Sequence, residues 1–193
     1  MTKDKFKKKS VTREWTESII IALILALFIR EFIVQAFKIP SGSMRPTLIE
    51  GDRILVNKFI YGTKIPFTDI RLPGLRKLQR GDVVVFIYPQ DPKRDFIKRL
   101  IATEGEVVQI KDGKIYVNDL LLDNPKFARY YYNQSPYGKE GSNVAVPSDS
   151  FYVLGDNSIS SQDSRYWGFV PYKYLLGKAF LIYWPLNRIR IIR

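Results

Sequence analysis

Ser43 is the residue of this sequence best placed to do chemistry. It lies in the segment IPSGSMRPTL, where Gly42 would let the backbone come close to a substrate. A serine hydroxyl needs a base to take its proton, and the chain contains neither histidine nor cysteine. The base for Ser43 must therefore be a lysine or a carboxylate. The Ser43 backbone N–H and the Ser41 hydroxyl could form an oxyanion hole, although a plain Ser/Gly loop is an equally good interpretation of this segment alone.

Lys98 is the best candidate for that base. In the run DFIKRLI, strand alternation places Phe96, Lys98 and Leu100 on one face of a strand. Burial between two large apolar side chains disfavours the ammonium form and lowers the pKa of a lysine, and a neutral amine can act as a general base. Many lysines in such a pattern are solvated residues at a strand edge, so the pattern alone leaves both interpretations open.

The segment 155–171, GDNSISSQDSRYWGFVP, is the third region with small polar groups. Such groups could orient an amine, and Asp163 with Arg165 could brace the loop by a charge pair. The alternative is a generic polar loop that precedes an aromatic strand.

A long apolar run precedes these segments. Residues 19–29 are unbroken apolar residues, and Arg30 and Glu31 separate them from FIVQAF. Taken as one helix, residues 19–37 just match the thickness of a hydrocarbon core, which predicts a transmembrane helix over residues 15–37. A cleaved signal peptide with its site at residues 34–36 and a buried core helix are the alternatives.

The N-terminal tail is strongly basic. In residues 1–14, six Lys and Arg residues stand against two acidic residues, which accounts for +4 of the net charge of +12. Such a tail favours an anionic membrane surface over nucleic acid as the partner. We therefore expect a cytoplasmic tail over residues 1–14, a lipid bilayer around the helix, and an exported catalytic domain over residues 38–193.

The exported part has a strand pattern. Short runs rich in Val, Ile, Phe and Tyr are bounded by Gly, Pro, Asn and Asp, and Asp112-Gly113 and Asn118-Asp119 predict tight hairpin turns. Residues 62–79 and 124–150 are expected to be loops, and a short helix is expected near the KYLLG stretch. The sequence thus predicts a mainly β fold, with one N-terminal transmembrane helix followed by an antiparallel β-sheet domain.

Several segments together resemble the type I signal peptidases, the membrane-bound serine–lysine endopeptidases that remove signal peptides. The matching segments, in the family's order, are PSGSMRPTL, GDRILVNK, RGDVVVF with IKRLIATEGE, and GDNSISSQDSR. The resemblance implies an antiparallel β catalytic domain of the signal peptidase type, located at the plasma membrane of a bacterium, with no cofactor and no metal. The implied partners are preproteins carrying signal peptides and the bilayer, with no nucleic acid.

The resemblance also implies a role for individual residues. Ser43 takes the place of the nucleophile, Lys98 that of the general base, and Ser41 that of the oxyanion-hole hydroxyl. The remaining residues comprise a lysine-orienting hydroxyl, structural supports, and residues that line the pockets for a substrate bound as an added strand. They are respectively Ser161; Asp156, Asp163 and Arg165; and Phe37, Ile39, Pro40, Phe96 and Ile97.

The sequence departs from the family pattern at a few positions. Ser158 stands where many members carry an arginine, and Ile159 and Ser160 differ from the usual polar pair. Thr103-Glu104 replaces the common apolar–proline pair. Two other functions stay open at this point: a self-cleaving regulator that uses the same serine–lysine pair, and a non-enzymatic membrane-anchored β-domain in which Ser43 and Lys98 are dispensable.

Overall fold

The chain forms mainly antiparallel β-structure, as the sequence predicts. The computed structural model describes residues 10–65, 68, 70–133 and 136–192, which form two β-sheets preceded by a long helix. Residues 1–9 of the predicted basic tail lie outside the described residues. The helices are α1 (Val11–Phe32) and α2 (Ser164–Trp167). The strands are β1 (Val34–Lys38), β2 (Arg53–Asn57), β3 (Val83–Ile87), β4 (Asp95–Thr103), β5 (Val107–Lys111), β6 (Lys114–Val117), β7 (Leu120–Leu121), β8 (Val144–Ala145), β9 (Ser150–Leu154), β10 (Val170–Pro171), β11 (Leu175–Trp184) and β12 (Arg190–Ile191).

The predicted helix over residues 15–37 is wrong at its C-terminal end. Helix α1 ends at Phe32, and strand β1 pairs antiparallel with β2 over its full length. The backbone beyond the helix finds its partners in the body of the protein, because the Lys58 N–H donates to the Ile33 carbonyl and the Thr63 hydroxyl donates to the Phe32 carbonyl. The β-branched pair Ile33-Val34 suits a strand better than a helix, which favours this exchange.

Helix α1 meets the body of the protein near its C-terminal end, where Glu31 lies 3.6 Å from Lys58 Nζ. Its apolar residues are exposed, with Ile19 at 62% and Leu23 at 60%. Over the stretches of chain that the structure describes, none of the helices combines the length and apolarity needed to cross a membrane.

The larger sheet carries the segments that matter for chemistry. Its strand order is β1-β2-β11-β3-β4-β9-β10, and β12 pairs with β11. Strand β9 pairs with Arg99–Thr103 of β4, so the first part of β4 has its edge on that side open to another segment. One apolar cluster includes Met44, the residue after Ser43, and Leu48. Burial of such side chains fixes the position of the turn that carries the serine.

The smaller sheet has the order β7-β6-β5-β8. Both predicted hairpin turns are confirmed, because Asp112, Gly113, Asn118 and Asp119 all have positive φ angles between 50° and 70°. Positive φ at both central residues is the signature of the tight turn that joins twisted strands. The tripeptide Arg80-Gly81-Asp82 likewise forms a turn that leads into β3.

Two details of the larger sheet differ from the sequence expectation. The KYLLG stretch enters strand β11, and only a single 3-10 turn over Tyr172–Tyr174 precedes it. The short helix α2 occurs earlier and begins after Asp163, whose side chain accepts from the Arg165 N–H. An aspartate at a helix N-cap satisfies backbone N–H groups that would otherwise lack a partner at the start of the helix.

Candidate active site

Ser43 and Lys98 form a buried hydrogen bond. The distance between Lys98 Nζ and Ser43 Oγ is 2.7 Å, although the residues are 55 positions apart in the chain. Ser43 lies on the 3-10 turn Gly42–Met44, and Lys98 lies on β4 just before the β9 pairing begins. The two side chains are only 6% and 4% exposed, which keeps bulk water away from their contact.

The surroundings of Lys98 favour its neutral form. The amine also donates to the Ile97 carbonyl at 3.0 Å, and it lies 5.3 Å from the centre of the Phe96 ring. Burial lowers the pKa of Lys98 to about 8; the negative charges of Asp163 and Asp156 oppose this shift, and the positive charge of Arg165 adds to it. This lowered pKa agrees with the buried one of the two interpretations that the strand pattern left open. A neutral amine within 2.7 Å of a hydroxyl can take its proton.

Asn157 clamps the turn that carries Ser43. Its backbone N–H donates to the Ser43 carbonyl at 3.0 Å, and its side-chain amide donates to the Gly42 carbonyl at 3.1 Å. These bonds join the nucleophile segment to the polar loop 155–163, and the sequence had not marked Asn157 for this role. Both bonds have ordinary hydrogen-bond lengths, so they hold the backbone of the turn against this loop.

Gly155 makes the close approach of that loop possible. A Cβ atom at this position would lie 2.1 Å from Ser161 Oγ and 2.6 Å from the Ser43 carbonyl oxygen. The backbones can pack this tightly only because glycine has no side chain.

Ser161 reaches the site but not the predicted partner. Its side chain is 3% exposed and lies against Gly155. Its hydroxyl has no hydrogen-bond partner within the described part of the chain, so the expected bond to Lys98 is not formed here. A buried hydroxyl without a partner carries a free-energy cost. The Ser161 hydroxyl is therefore available to form a hydrogen bond with another group.

Asp163 and Arg165 form the charge pair expected from the sequence. Arg165 donates to both carboxylate oxygens at 2.8 Å, and neither side chain is exposed. Asp163 also accepts from the Gly155 N–H at 3.0 Å. Arg165 further donates to Ser158 Oγ and to the Tyr132 carbonyl, both at 2.6 Å. Ser158, the position that departs from the family pattern, is thus an integral part of this network.

Asp156 is held by an arginine that the sequence analysis did not single out. Arg99 donates to both Asp156 oxygens at 2.8 and 2.7 Å, and both side chains are buried. The Thr47 hydroxyl also donates to Asp156. Strand alternation places Arg99 opposite Lys98, with Ile97 and Ile101 on its face, and a buried arginine requires a carboxylate. The signal for Arg99 was therefore present in the sequence.

A cavity of about 600 Å³ opens beside Ser43 and Lys98. It contains three of the five residues predicted to bind substrate, Pro40, Phe96 and Ile97, whereas Phe37 and Ile39 pack in the apolar cluster with Met44. The predicted Ser41, Ser43 and Lys98 also line it, whereas four further lining residues were not predicted as site residues, namely Arg94, Asp95, Ser160 and Gln162. The full lining is Pro40, Ser41, Ser43, Arg94, Asp95, Phe96, Ile97, Lys98, Ser160 and Gln162.

Another cavity, of about 640 Å³, is lined by residues that include Tyr61, Arg71 and Glu104, and neither Ser43 nor Lys98 lines it. Chemistry at the serine therefore belongs to the smaller cavity. Within the described ranges, no three acidic side chains come together in a way that could hold a metal ion.

Comparison with known proteins adds a family to this geometry. Residues 12–184 match the family model for signal peptidase, peptidase S26. The chain is 39% identical to the probable signal peptidase I-2 of Synechocystis sp., with 96% of this chain and 82% of that protein covered. It is 35% identical to signal peptidase I of Pseudomonas aeruginosa, with 94% and 76% covered, and 37% identical to that of Leptolyngbya laminosa, with 95% and 85% covered.

Proposed function

The chain belongs to the S26 signal peptidase family, and from this premise we propose that Ser43 is its nucleophile and Lys98 its general base. The chain is a serine endopeptidase that cleaves signal peptides from preproteins, and a serine–lysine mechanism is general in the family. The self-cleaving regulator and the non-enzymatic β-domain are accordingly set aside. The single observation that carries the residue assignment is the buried 2.7 Å contact between Lys98 Nζ and Ser43 Oγ.

The proposed reaction begins when the neutral Lys98 amine takes the Ser43 proton. The serine oxygen then bonds to the carbonyl carbon of the scissile peptide, and the oxyanion is stabilised by the Ser43 N–H and the Ser41 hydroxyl. The Lys98 ammonium gives its proton to the departing amine as the peptide bond breaks, which leaves an acyl-enzyme. Lys98 next takes a proton from water, whose oxygen bonds to the ester carbonyl carbon. As the bond from that carbon to the Ser43 oxygen breaks, the Lys98 ammonium returns its proton to Ser43, and the signal peptide leaves with a new C-terminal carboxylate.

The cavity supports binding of the preprotein as an extended strand. The open edge of the first part of β4 offers backbone groups for pairing, and Pro40, Phe96 and Ile97 offer apolar contacts for small side chains next to the cut. Phe37 and Ile39 do not line the cavity. They pack in the apolar cluster that Ile97 also contacts, and so shape the pockets indirectly.

The remaining site residues keep supporting roles in this proposal. Asp163 with Arg165 and Asp156 with Arg99 hold the loop 155–163 against the nucleophile turn. Ser161 orients the Lys98 amine once substrate is bound. This role is supported by its buried hydroxyl, which has no hydrogen-bond partner among the described residues.

We further propose that α1 attaches the enzyme to the bilayer of a bacterial plasma membrane. The exposed apolar residues of α1 between Ile19 and Ile29 support the attachment, and the basic residues before them support a cytoplasmic N-terminus. The catalytic domain, which begins with strand β1 at Val34, is then on the exported side, where signal peptides are cut.

This orientation predicts the result of a protease-protection experiment. Protease added outside spheroplasts should digest the residues after Phe37 and spare an epitope placed before Ile19. Digestion of that epitope in intact spheroplasts contradicts the proposed orientation. Release of a mature protein that begins at Phe37 favours a cleaved signal peptide instead.

Cleavage of a preprotein tests the function itself. Detergent-solubilised wild-type protein should convert a preprotein to a product whose new N-terminus lies at the signal peptide boundary. Ser43→Ala should lose this activity by about 10⁴-fold or more, because nothing replaces the attacking oxygen. Ser142→Ala, a serine of the segment before β8, is the matched control and should cleave normally. Equal activity of Ser43→Ala and wild type removes Ser43 from the mechanism.

A further inference from the structure

Arg129 reaches the active-site network from outside the four short segments on which the family resemblance was first based. Its Nη1 lies 3.2 Å from Asp156 Oδ1, and its Nη2 donates to Thr47 Oγ1 at 3.2 Å. It belongs to the long connection between β7 and β8, two strands of the smaller sheet, and this connection passes close to Asp156 and Thr47. The Lys126 carbonyl, one turn earlier in the same connection, accepts from Arg129 at 2.7 Å and holds the guanidinium in place.

Arg129 is therefore a second cation in contact with Asp156, which already pairs with Arg99. Arg99 alone matches the charge of Asp156 with a bidentate contact inside the protein. Arg129 approaches from the surface with 22% of its side chain exposed. The Asp156 backbone leads directly into Asn157, whose two hydrogen bonds hold Gly42 and Ser43.

Charge is the second link between Arg129 and the reaction. The groups that act on Lys98 are the carboxylates of Asp163 and Asp156 and the guanidinium of Arg165, besides its partner Ser43. Asp156 is faced in turn by Arg99, by Arg129, by the Thr47 hydroxyl and by the Tyr131 phenol. Burial raises the pKa of Tyr131 to about 12, so that group stays neutral at working pH. An added positive charge beside Asp156 offsets the negative potential that this carboxylate exerts on the amine.

We infer that Arg129 is a positioning residue of the peptidase reaction: from the β7–β8 connection it holds Asp156, and with it the Asn157 bonds to Gly42 and Ser43, and its positive charge partly offsets the charge of Asp156. The inference rests on the proposed roles of Ser43 and Lys98. It extends the active site to the connection between β7 and β8 of the smaller sheet. That connection is then a functional part of the enzyme.

The charge effect gives the inference a readout that a purely structural residue would not move. Without the Arg129 charge, the negative potential of Asp156 acts more strongly on Lys98, so the pKa of the amine rises and less of it is neutral at a given pH. The acid limb of kcat/KM against pH should therefore move to higher pH, by about half a unit, with about a threefold loss near pH 7.

Matched variants separate charge from hydrogen bonding. Arg129→Gln keeps N–H donors without the charge and should show the shifted limb, whereas Arg129→Lys keeps the charge and should retain the wild-type midpoint. Arg190→Met is the control. Arg190 donates to the Thr47 carbonyl at 2.7 Å, so this variant removes a nearby cation that does not contact Asp156. Should Arg129→Gln fail to accumulate as folded protein, Arg129→Met is measured in its place.

The outcomes distinguish the inference from the proposed function beneath it. A shifted limb in Arg129→Gln alone, restored in Arg129→Lys, supports the inference. If the wild type shows an acid limb, three results overturn the inference. They are a uniform loss of activity at every pH in Arg129→Gln, an unmoved midpoint in that variant, and an equal shift in Arg190→Met. A wild-type enzyme that has no acid limb at all overturns the proposed role of Lys98 instead.

Discussion

Lys98→Met is expected to abolish preprotein cleavage while making the folded enzyme more stable. Activity should fall by about 10⁴-fold or more, because methionine cannot take the Ser43 proton. Stability should rise because methionine fills the same buried space next to Phe96 without an amine that must be kept neutral or desolvated.

The pH dependence of the stability change follows from the shifted pKa. The pKa of Lys98 is about 8 in the folded protein and about 10.4 in an unfolded chain, so between these values the unfolded chain binds more protons. Stability of the wild type therefore rises with pH across that window, and below pH 8 the penalty is complete, on the order of 3 kcal/mol. Lys98→Met should gain most at pH 6 to 7 and little near pH 10.

Thermal unfolding of both proteins in the same detergent, from pH 5 to 10, measures this difference. The comparison with wild type cancels the titration of groups that do not interact with Lys98. Since about 1 kcal/mol corresponds to a few degrees for a chain of this size, the expected gain is measurable. A Lys98→Met protein that is equally or less stable than wild type at every pH shows that Lys98 is an ordinary solvated lysine.

Gly155→Ala is expected to cause the largest loss among residues that take no part in the chemistry. The new methyl group would lie 2.1 Å from Ser161 Oγ and 2.6 Å from the Ser43 carbonyl oxygen, so loop and nucleophile turn must separate. The Asn157 bonds to Gly42 and Ser43 would lengthen with them. Since misplacement of a reacting group by about 1 Å can cost about 100-fold, kcat should fall by at least that factor.

Gly105→Ala is the matched control for this substitution. Gly105 has a φ angle of +77°, so alanine there adds backbone strain of about 1 kcal/mol, but a Cβ atom would meet nothing within 4 Å. It should lower thermal stability and leave kcat unchanged. If Gly155→Ala retains wild-type kcat, the loop does not set the position of Ser43.

The sequence was informative where local patterns determine structure. The hairpins at Asp112-Gly113 and Asn118-Asp119 follow from residues that tolerate positive φ, and the β-rich domain follows from the spacing of Val, Ile, Phe and Tyr. The meeting of Ser43 with Lys98 came from the family resemblance, since no local pattern relates residues 55 positions apart.

Other features depend on contacts that a linear pattern does not contain. The end of α1 at Phe32 depends on the pairing of β1 with β2 and on the Lys58 N–H, both of which become visible only in the fold. Arg129 gave no signal, because an arginine in a polar connection is typical of a solvated loop. Arg99 did give one, as a charged residue on the buried face of an apolar strand.

The pH dependence of wild-type kcat/KM from pH 5 to 10 tests the central claim most directly, because this ratio reports the free enzyme's essential base. With Lys98 as that base, kcat/KM should rise about tenfold per pH unit on the acid side and level off above a midpoint near 8, the folded-state pKa of Lys98. A profile that is flat from pH 6 to 10, in a preparation whose activity Ser43→Ala removes, contradicts proton transfer from Ser43 to a neutral Lys98.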